Sequence, residues 1–346
     1  MVFVVDRTPS VESPFANPDQ RETPPSSSSA SPDKRLKPTK AAVVEVSSPI
    51  THVIALSIDG LSPAALTQLG NEALPGFTRM RAEGASTLNA RSDYDYTVTL
   101  PNHTSMLTGR PVRIERGGHG VTINTQTDKA VADYAGEPVA SVFDVVHDAG
   151  GSTALFASKE KFSIFRTSWP DSIDRYAMVA SSRVINRATR DFLRHDRTFL
   201  FIHLAAPDAV GHLEGWMSPA YLDVVDSVDD DLARLLWTLD RKGLDDSTVV
   251  LLTADHGGEG TRHSDALNPA NFTVPFLAWG AQVPKGADLY ALNSQLSEPG
   301  TARPGYQGPQ PVRAASVANL ATSLLQFGPV PGSLIDARQD FRITRS

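Results

Sequence analysis

Three apolar runs in this chain end in acidic or imidazole side chains, and that repetition organises the rest of the pattern. HVIALSI (His52 to Ile58) is followed by Asp59. TFLFIHLAAP (Thr198 to Pro207) is followed by Asp208 and then His212. TVVLLTA (Thr248 to Ala254) is followed by Asp255 and His256, with His263 shortly after. Short continuous apolar runs bounded by turn residues predict strands buried on both faces. Between them the apolar period lengthens. Pro63 to Leu69, Leu74 to Glu83, Asn102 to Thr108, Val142 to Ala149, Arg183 to Leu193 and Pro219 to Leu239 read as helices. In the last, Tyr221, Val224, Val225, Val228, Leu232, Leu235, Leu236 and Leu239 keep helical spacing, with Ser218 at the N-cap and Pro219 in the first position. Thr153 to Ala157 and Phe272 to Trp279 add strands, and Ala314 to Leu325 a final helix. Alternation of this kind predicts an α/β fold: a mostly parallel central sheet with helices on both faces.

Residues 1–48 break the pattern. They are rich in Pro and Ser, as in TPPSSSSASP (Thr23 to Pro32), and carry a basic cluster, KRLKPTK (Lys34 to Lys40). Too little apolar surface is present there to offset ordering entropy, so a disordered tail is expected ahead of one catalytic domain over residues 49–346. The basic cluster reads as solvated linker charge. The chain of 346 residues is 40% hydrophobic and 21% charged, ordinary for a soluble domain. A net charge of -7 argues against a broad nucleic-acid-binding surface. The absence of cysteine excludes disulfides, thiolate chemistry and Cys-type zinc sites. No apolar run is long enough to span a bilayer. MVFVVDRTPSVESPF is not a recognisable signal peptide.

Ligand groups in open α/β sheets gather outside the carboxyl ends of the strands. Aspartates and histidines there, without cysteine, suit zinc or manganese. Asp208 and His212 are spaced to share one side of a helical turn. Asp255 and His256 are more specific, because a buried strand rarely ends in adjacent ionisable residues without a use for them. The segment TVTLPNHTSMLTGR (Thr97 to Arg110) adds a hydroxyl. Pro101 predicts an extended Leu100, and Asn102 a helix N-cap, which places Thr99 just ahead of a helix N-terminus that favours an anion. A hydroxyl becomes a nucleophile when activated, and metal coordination can do this. Singly, each feature has an ordinary reading: Asp59-Gly60 as a turn, Thr99 as a connection, Asp208 as a cap with a surface His212. Among the other histidines, His103 is expected to support the Thr99 turn and His203 to pack in the sheet or stand behind the ligands. His52, His147 and His195 carry no motif.

Together, over about residue 50 to the end, these motifs resemble the alkaline phosphatase superfamily, and within it the nucleotide pyrophosphatase/phosphodiesterase branch. The resemblance rests on Thr99-Leu100-Pro101-Asn102, on Asp59, on Asp208 with His212, on Asp255-His256-Gly257 and on His263. It implies two divalent cations, zinc as a rule, with manganese or iron compatible with such ligands. One would be held by Asp208, His212 and His263. The other would be held by Asp59, Asp255 and His256, with Thr99 at its open position. It implies a phosphate-binding role for Asn124 in HGVTIN, with His119 part of that turn. The implied activity is hydrolysis of a small-molecule phosphate diester through a phosphothreonine. The alternatives are a phosphomonoesterase or phosphonate hydrolase of the same superfamily, or a metal-binding pseudoenzyme.

Three departures bear on substrate. Leu100 stands where the nucleotide-specific branch places an aromatic that stacks on a base. The connection from His256 to His263 is short, so the site is expected to be open, or capped by a segment such as Lys159 to Trp169. No sulfatase-type motif occurs. Lys159, Lys161 and Arg110 are the candidate cations for the extra charge of a monoester, each otherwise a surface charge. The sequence leaves oligomeric state and compartment open, and a Pro/Ser tail ahead of a Cys-free hydrolase fits an exported enzyme.

Overall fold

Eight strands form one sheet: β1 (His52–Ile58), β2 (Ala85–Arg91), β3 (Thr153–Ala157), β4 (Arg175–Met178), β5 (Phe199–Leu204), β6 (Thr248–Thr253), β7 (Thr273–Gly280) and β8 (Ala287–Asp288). The structure is a computed structural model and describes residues 48–344, so the expected tail lies outside the described residues except for its last position. The spatial order is β4-β3-β5-β1-β6-β7-β2-β8. Pairing is parallel from β4 through to β6, while β7 runs antiparallel to both β6 and β2. The sheet is thus mostly parallel, as the alternation predicts.

Every residue of β1, β5 and β6 is buried, which is why these segments read as unbroken apolar runs. Helix Pro219–Arg241 buries Tyr221, Val225, Val228, Leu232, Leu235, Leu236 and Leu239, and Ser218 Oγ accepts from Tyr221 N at 3.2 Å. Its buried Asp229 caps another helix. The carboxylate accepts from Gly76 N at 2.8 Å and Phe77 N at 2.6 Å, satisfying the first amides of helix Pro75–Glu83.

Two expected boundaries move. The helix foreseen at Asn102 begins at Thr99 and has Val98 as its N-cap. Pro101 lies in its first turn, where its missing N–H is no loss. Leu100 is therefore helical instead of extended. Asn102 sits inside the helix and braces the preceding loop, accepting from Asp93 N at 2.8 Å and donating to Tyr96 O at 2.9 Å. The final helix splits into a 3₁₀ turn, Ala314–Ser316, and a helix at Val317–Leu324.

Candidate active site

β3, β5, β1 and β6 are consecutive in the sheet and parallel, so their carboxyl ends open side by side. Asp59 follows β1 directly, and Asp255 and His256 follow β6. β5 leads into helix Ala206–Glu214, which carries Asp208 and His212. That helix is docked on β1 through backbone: Asp208 N donates to Asp59 O at 3.0 Å. Gly60 permits this approach. It has φ +72°, and an added Cβ would lie 3.0 Å from Asp208 Cα. Its N–H donates to Asp255 Oδ1 at 3.1 Å, and its carbonyl accepts from Trp216 Nε1 and Tyr221 Oη, each at 2.8 Å. His263 enters from a loop and is held against the Thr99 segment. Its Nδ1 is 2.5 Å from Thr97 O, and Thr97 Oγ1 donates to His263 O at 2.5 Å.

The six predicted ligands fall into the two expected triads. In each of Asp59, Asp255, His256 and Asp208, His212, His263, one ligand atom per residue lies within 4.8 Å of the others. Hydrogen bonding then fixes which imidazole nitrogens carry lone pairs. His256 Nδ1 lies 2.8 Å from Gly257 O, and His212 Nδ1 lies 3.0 Å from Thr261 O. A carbonyl only accepts, so both Nδ1 atoms are protonated, as is His263 Nδ1 against Thr97 O. In the neutral ring each Nε2 is then a bare lone pair. Yet His263 Nε2 and His212 Nε2 face each other at 3.1 Å. His256 Nε2 faces Asp255 Oδ2 at 3.2 Å and Asp59 Oδ1 at 3.5 Å. Asp59 Oδ1, Asp208 Oδ1, Asp255 Oδ2 and His256 Nε2 are buried without a hydrogen-bond partner. Buried acceptors aimed at one another fit a bound cation. The donor set, oxygen and imidazole, fits a divalent ion in each triad.

Electrostatics agree. Burial, with the charge of His256, pushes the His263 imidazolium down to about 3. Burial holds His256 near 4, so both rings are neutral, as ligands must be. Burial and the charge of Asp59 push Asp255 well above the carboxylate range. Burial opposes ionisation of Asp59 as well, but Lys159 and the His203 hydrogen bond outweigh it and hold Asp59 well below that range.

Two residues gain a definite place. His203, on β5, has Nε2 at 2.9 Å from Asp59 Oδ2, while its Nδ1 accepts from Ser158 N at 3.3 Å. It orients the Asp59 carboxylate from behind. Lys159 is no surface charge. Its Nζ lies 2.6 Å from both Asp59 Oδ2 and Asp208 Oδ2, one carboxylate from each triad, and 3.4 Å from Thr99 Oγ1. Burial works against the ammonium, but the two aspartates hold it ionised. Lys161 Nζ is 3.0 Å from Asn124 Oδ1. Arg110 instead pairs with Glu137 at 2.7 Å.

Thr99 opens its helix, with His103 Nδ1 at 2.8 Å from the Thr99 carbonyl and His103 Nε2 against Ser57 Oγ at 2.8 Å. The Leu100 amide donates to Asn124 Oδ1 at 2.9 Å, so that oxygen is engaged and the Asn124 amide nitrogen is the group left to donate. Leu100 itself is fully buried and offers no stacking face. His119 braces its turn: Nδ1 accepts from Val121 N at 3.1 Å and Nε2 meets Ser105 Oγ at 3.0 Å.

Similarities to known proteins fall in line with this geometry. Among solved structures, murine ectonucleotide pyrophosphatase/phosphodiesterase 5 in complex with AMP superposes with a TM-score of 0.59 at 15% identity, covering 81% of this chain and 96% of that one. A mutant of the alkaline phosphatase PafA gives 0.61 at 14%, covering 83% and 98%. These establish a shared alkaline phosphatase-like fold. Among curated relatives, GPI ethanolamine phosphate transferase 1 of Chaetomium globosum is 34% identical over 122 residues, 35% of this chain and 12% of that protein. The Saccharomyces cerevisiae protein of the same name is 28% identical over 172 residues, 45% and 18% respectively. The chain thus spans under a fifth of the length of these two relatives. The family pattern of type I phosphodiesterase / nucleotide pyrophosphatase matches residues 53–295, which take in both triads, Thr99, Asn124 and the strands that deliver them. On that match the chain belongs to the type I phosphodiesterase / nucleotide pyrophosphatase family.

Proposed function

We propose that this protein cleaves phosphate diesters at a two-cation centre, with Thr99 as nucleophile and a phosphothreonine as intermediate. The observation that carries the reading is the set of opposed lone pairs beside Thr99, which call for positive charge at both triads. Bound divalent cations would lower the acidity barrier of the Thr99 hydroxyl and neutralise charge on the phosphoryl oxygens.

The chain's own groups supply the rest. Thr99 Oγ1 forms the new bond to phosphorus while the ester oxygen opposite it leaves. The amides and dipole at the start of helix Thr99–Thr108 favour the anionic phosphoryl group. Asn124, oriented by the Leu100 amide, turns its nitrogen toward a phosphoryl oxygen. His103 holds the Thr99 backbone and His203 holds Asp59. Water then attacks phosphorus, freeing Thr99 and a phosphate monoester. The curated relatives are named as transferases of ethanolamine phosphate. On the same covalent intermediate, an acceptor hydroxyl in place of water turns hydrolysis into transfer.

A second reading, phosphomonoester hydrolysis, is favoured by one observation. Lys159 and Lys161 bring two ammonium groups to Thr99 and Asn124, and a monoester carries the extra negative charge they would meet. Hydrolysis of a bis-aryl phosphate against the mono-aryl phosphate, with and without added alcohol, separates the diesterase, monoesterase and transferase readings. Thr99→Ala should abolish turnover and leave metal content unchanged. Full turnover by a metal-loaded Thr99→Ala protein would end the covalent reading.

A further inference from the structure

Helix Ser181–His195 carries Arg183, Arg187, Arg190 and Arg194 on its exposed side, at spacings that keep them on one face. Three of them, Arg187, Arg190 and Arg194, join Arg175 of β4 and Arg197 around a groove of about 870 Å³. Arg197 is answered by Asp191 at 2.8 Å and Asp174 at 3.8 Å. The other four groove arginines have no carboxylate partner among the described residues. This occurs in a chain with 39 acidic and 32 basic residues, where carboxylates are in surplus. Arg175 begins its strand and Arg197 lies two residues before β5, so the groove lies toward the end of the strands opposite the catalytic mouth.

Apolar groups stand exposed beside these guanidiniums. Leu193 in the groove wall is 39% exposed. The parallel helix Pro219–Arg241 lies alongside, joined by Asn186 Nδ2 to Asp231 Oδ1 at 3.2 Å. On that helix Trp237 is 58% exposed, with the Arg241 guanidinium 5.6 Å from its ring. Cations beside exposed Leu and Trp form the combination that an interfacial surface presents to lipid.

We infer that this face docks on the surface of an anionic phospholipid bilayer, with guanidiniums on the headgroups and Leu193 and Trp237 entering the interface. A nucleic acid would satisfy the arginines but leave the exposed aliphatic Leu193 uncovered. Docking in this way turns the catalytic mouth away from the bilayer, toward solvent.

The test is co-sedimentation of the full chain with vesicles of phosphatidylcholine alone and of phosphatidylcholine with about one-third phosphatidylserine. Binding is expected only to the anionic vesicles, and to weaken as salt rises. Arg187→Glu with Arg190→Glu and Arg194→Glu should lower affinity on the order of a hundredfold, and Leu193→Ser with Trp237→Ser severalfold. Turnover of a soluble aryl diester should match wild type in both. Should the glutamate variant fail to fold, the corresponding Gln triple variant reads the same loss. Because Lys34 to Lys40 remain in every variant, undiminished binding by the triple variant would assign the affinity to that segment and overturn the proposal. Equal binding to neutral vesicles, no binding at low salt, or a preference for DNA that Leu193→Ser leaves unchanged would each overturn it too.

Discussion

The two triads are built from different material. Asp59, Asp255 and His256 stand at the ends of adjacent central strands and are all fully buried. Asp208, His212 and His263 come from a helix and a loop, and the His212 side chain is 48% exposed. The first triad is part of the sheet's core, dry and braced by His203 and Gly60. The second is a wall of the mouth. A site open to solvent on one side and rigid on the other separates the task of holding charge from the task of admitting substrate.

Mutations should break this asymmetry in graded fashion. Asp255→Asn strikes the rigid half and is expected to empty it and lower kcat by at least about a thousandfold, read from metal analysis and turnover on one preparation. A variant retaining full metal and turnover would remove the distinction. His212→Gln strikes the open half. Metal stoichiometry should fall from two to one with the buried triad still loaded, and timed chelation of wild type should empty the open half first. Simultaneous loss from both halves would argue for a single cooperative centre. His203→Gln leaves every ligand in place but loosens Asp59, so metal affinity of the buried triad should drop about ten- to a hundredfold. An unchanged affinity would reduce His203 to packing.

The smallest effect lies outside both triads. Burial pushes the His119 imidazolium down to about 3, so the folded protein keeps it neutral. The unfolded chain protonates it below about 6.5. Unfolding therefore takes up a proton between those values, and this residue's share of stability is lost as pH falls from about 6.5 toward 3, by up to ~1.4 kcal/mol per pH unit. Denaturant titrations of His119→Gln across that window should show a shallower slope than wild type. Identical slopes would mean that His119 titrates normally.

Most of this architecture is legible in the chain because buried parallel strands are written as apolar runs and their ends as Asp or His. The same rule reaches Lys159, which follows the run Thr153 to Ala157, yet a lone lysine after a strand carries no motif and reads as surface charge. What was illegible depends on partners. β2, ASTLNAR, is polar along much of its length and is a strand because β7 and β8 flank it. β4 is a short, partly exposed edge strand with little apolar signal. Helix Thr99–Thr108 starts earlier than Asn102 implied because a proline costs nothing in a first turn. The opposed imidazole nitrogens could not be foreseen at all, since they follow from carbonyls at Gly257, Thr261 and Thr97 that spacing does not reveal.

The hydrogen bond from Asp208 N to Asp59 O has a consequence for exchange of one ion for another. It ties together the main chain at one carboxylate of each triad, beside a glycine that leaves no room for a side chain. The separation of the two triads is then a property of the polypeptide, set before any ion arrives. Loading the two positions with zinc, manganese or cobalt in turn would alter Lewis acidity while the gauge between them stayed constant. A metal-substitution series in this protein would act as a titration of acidity at fixed geometry.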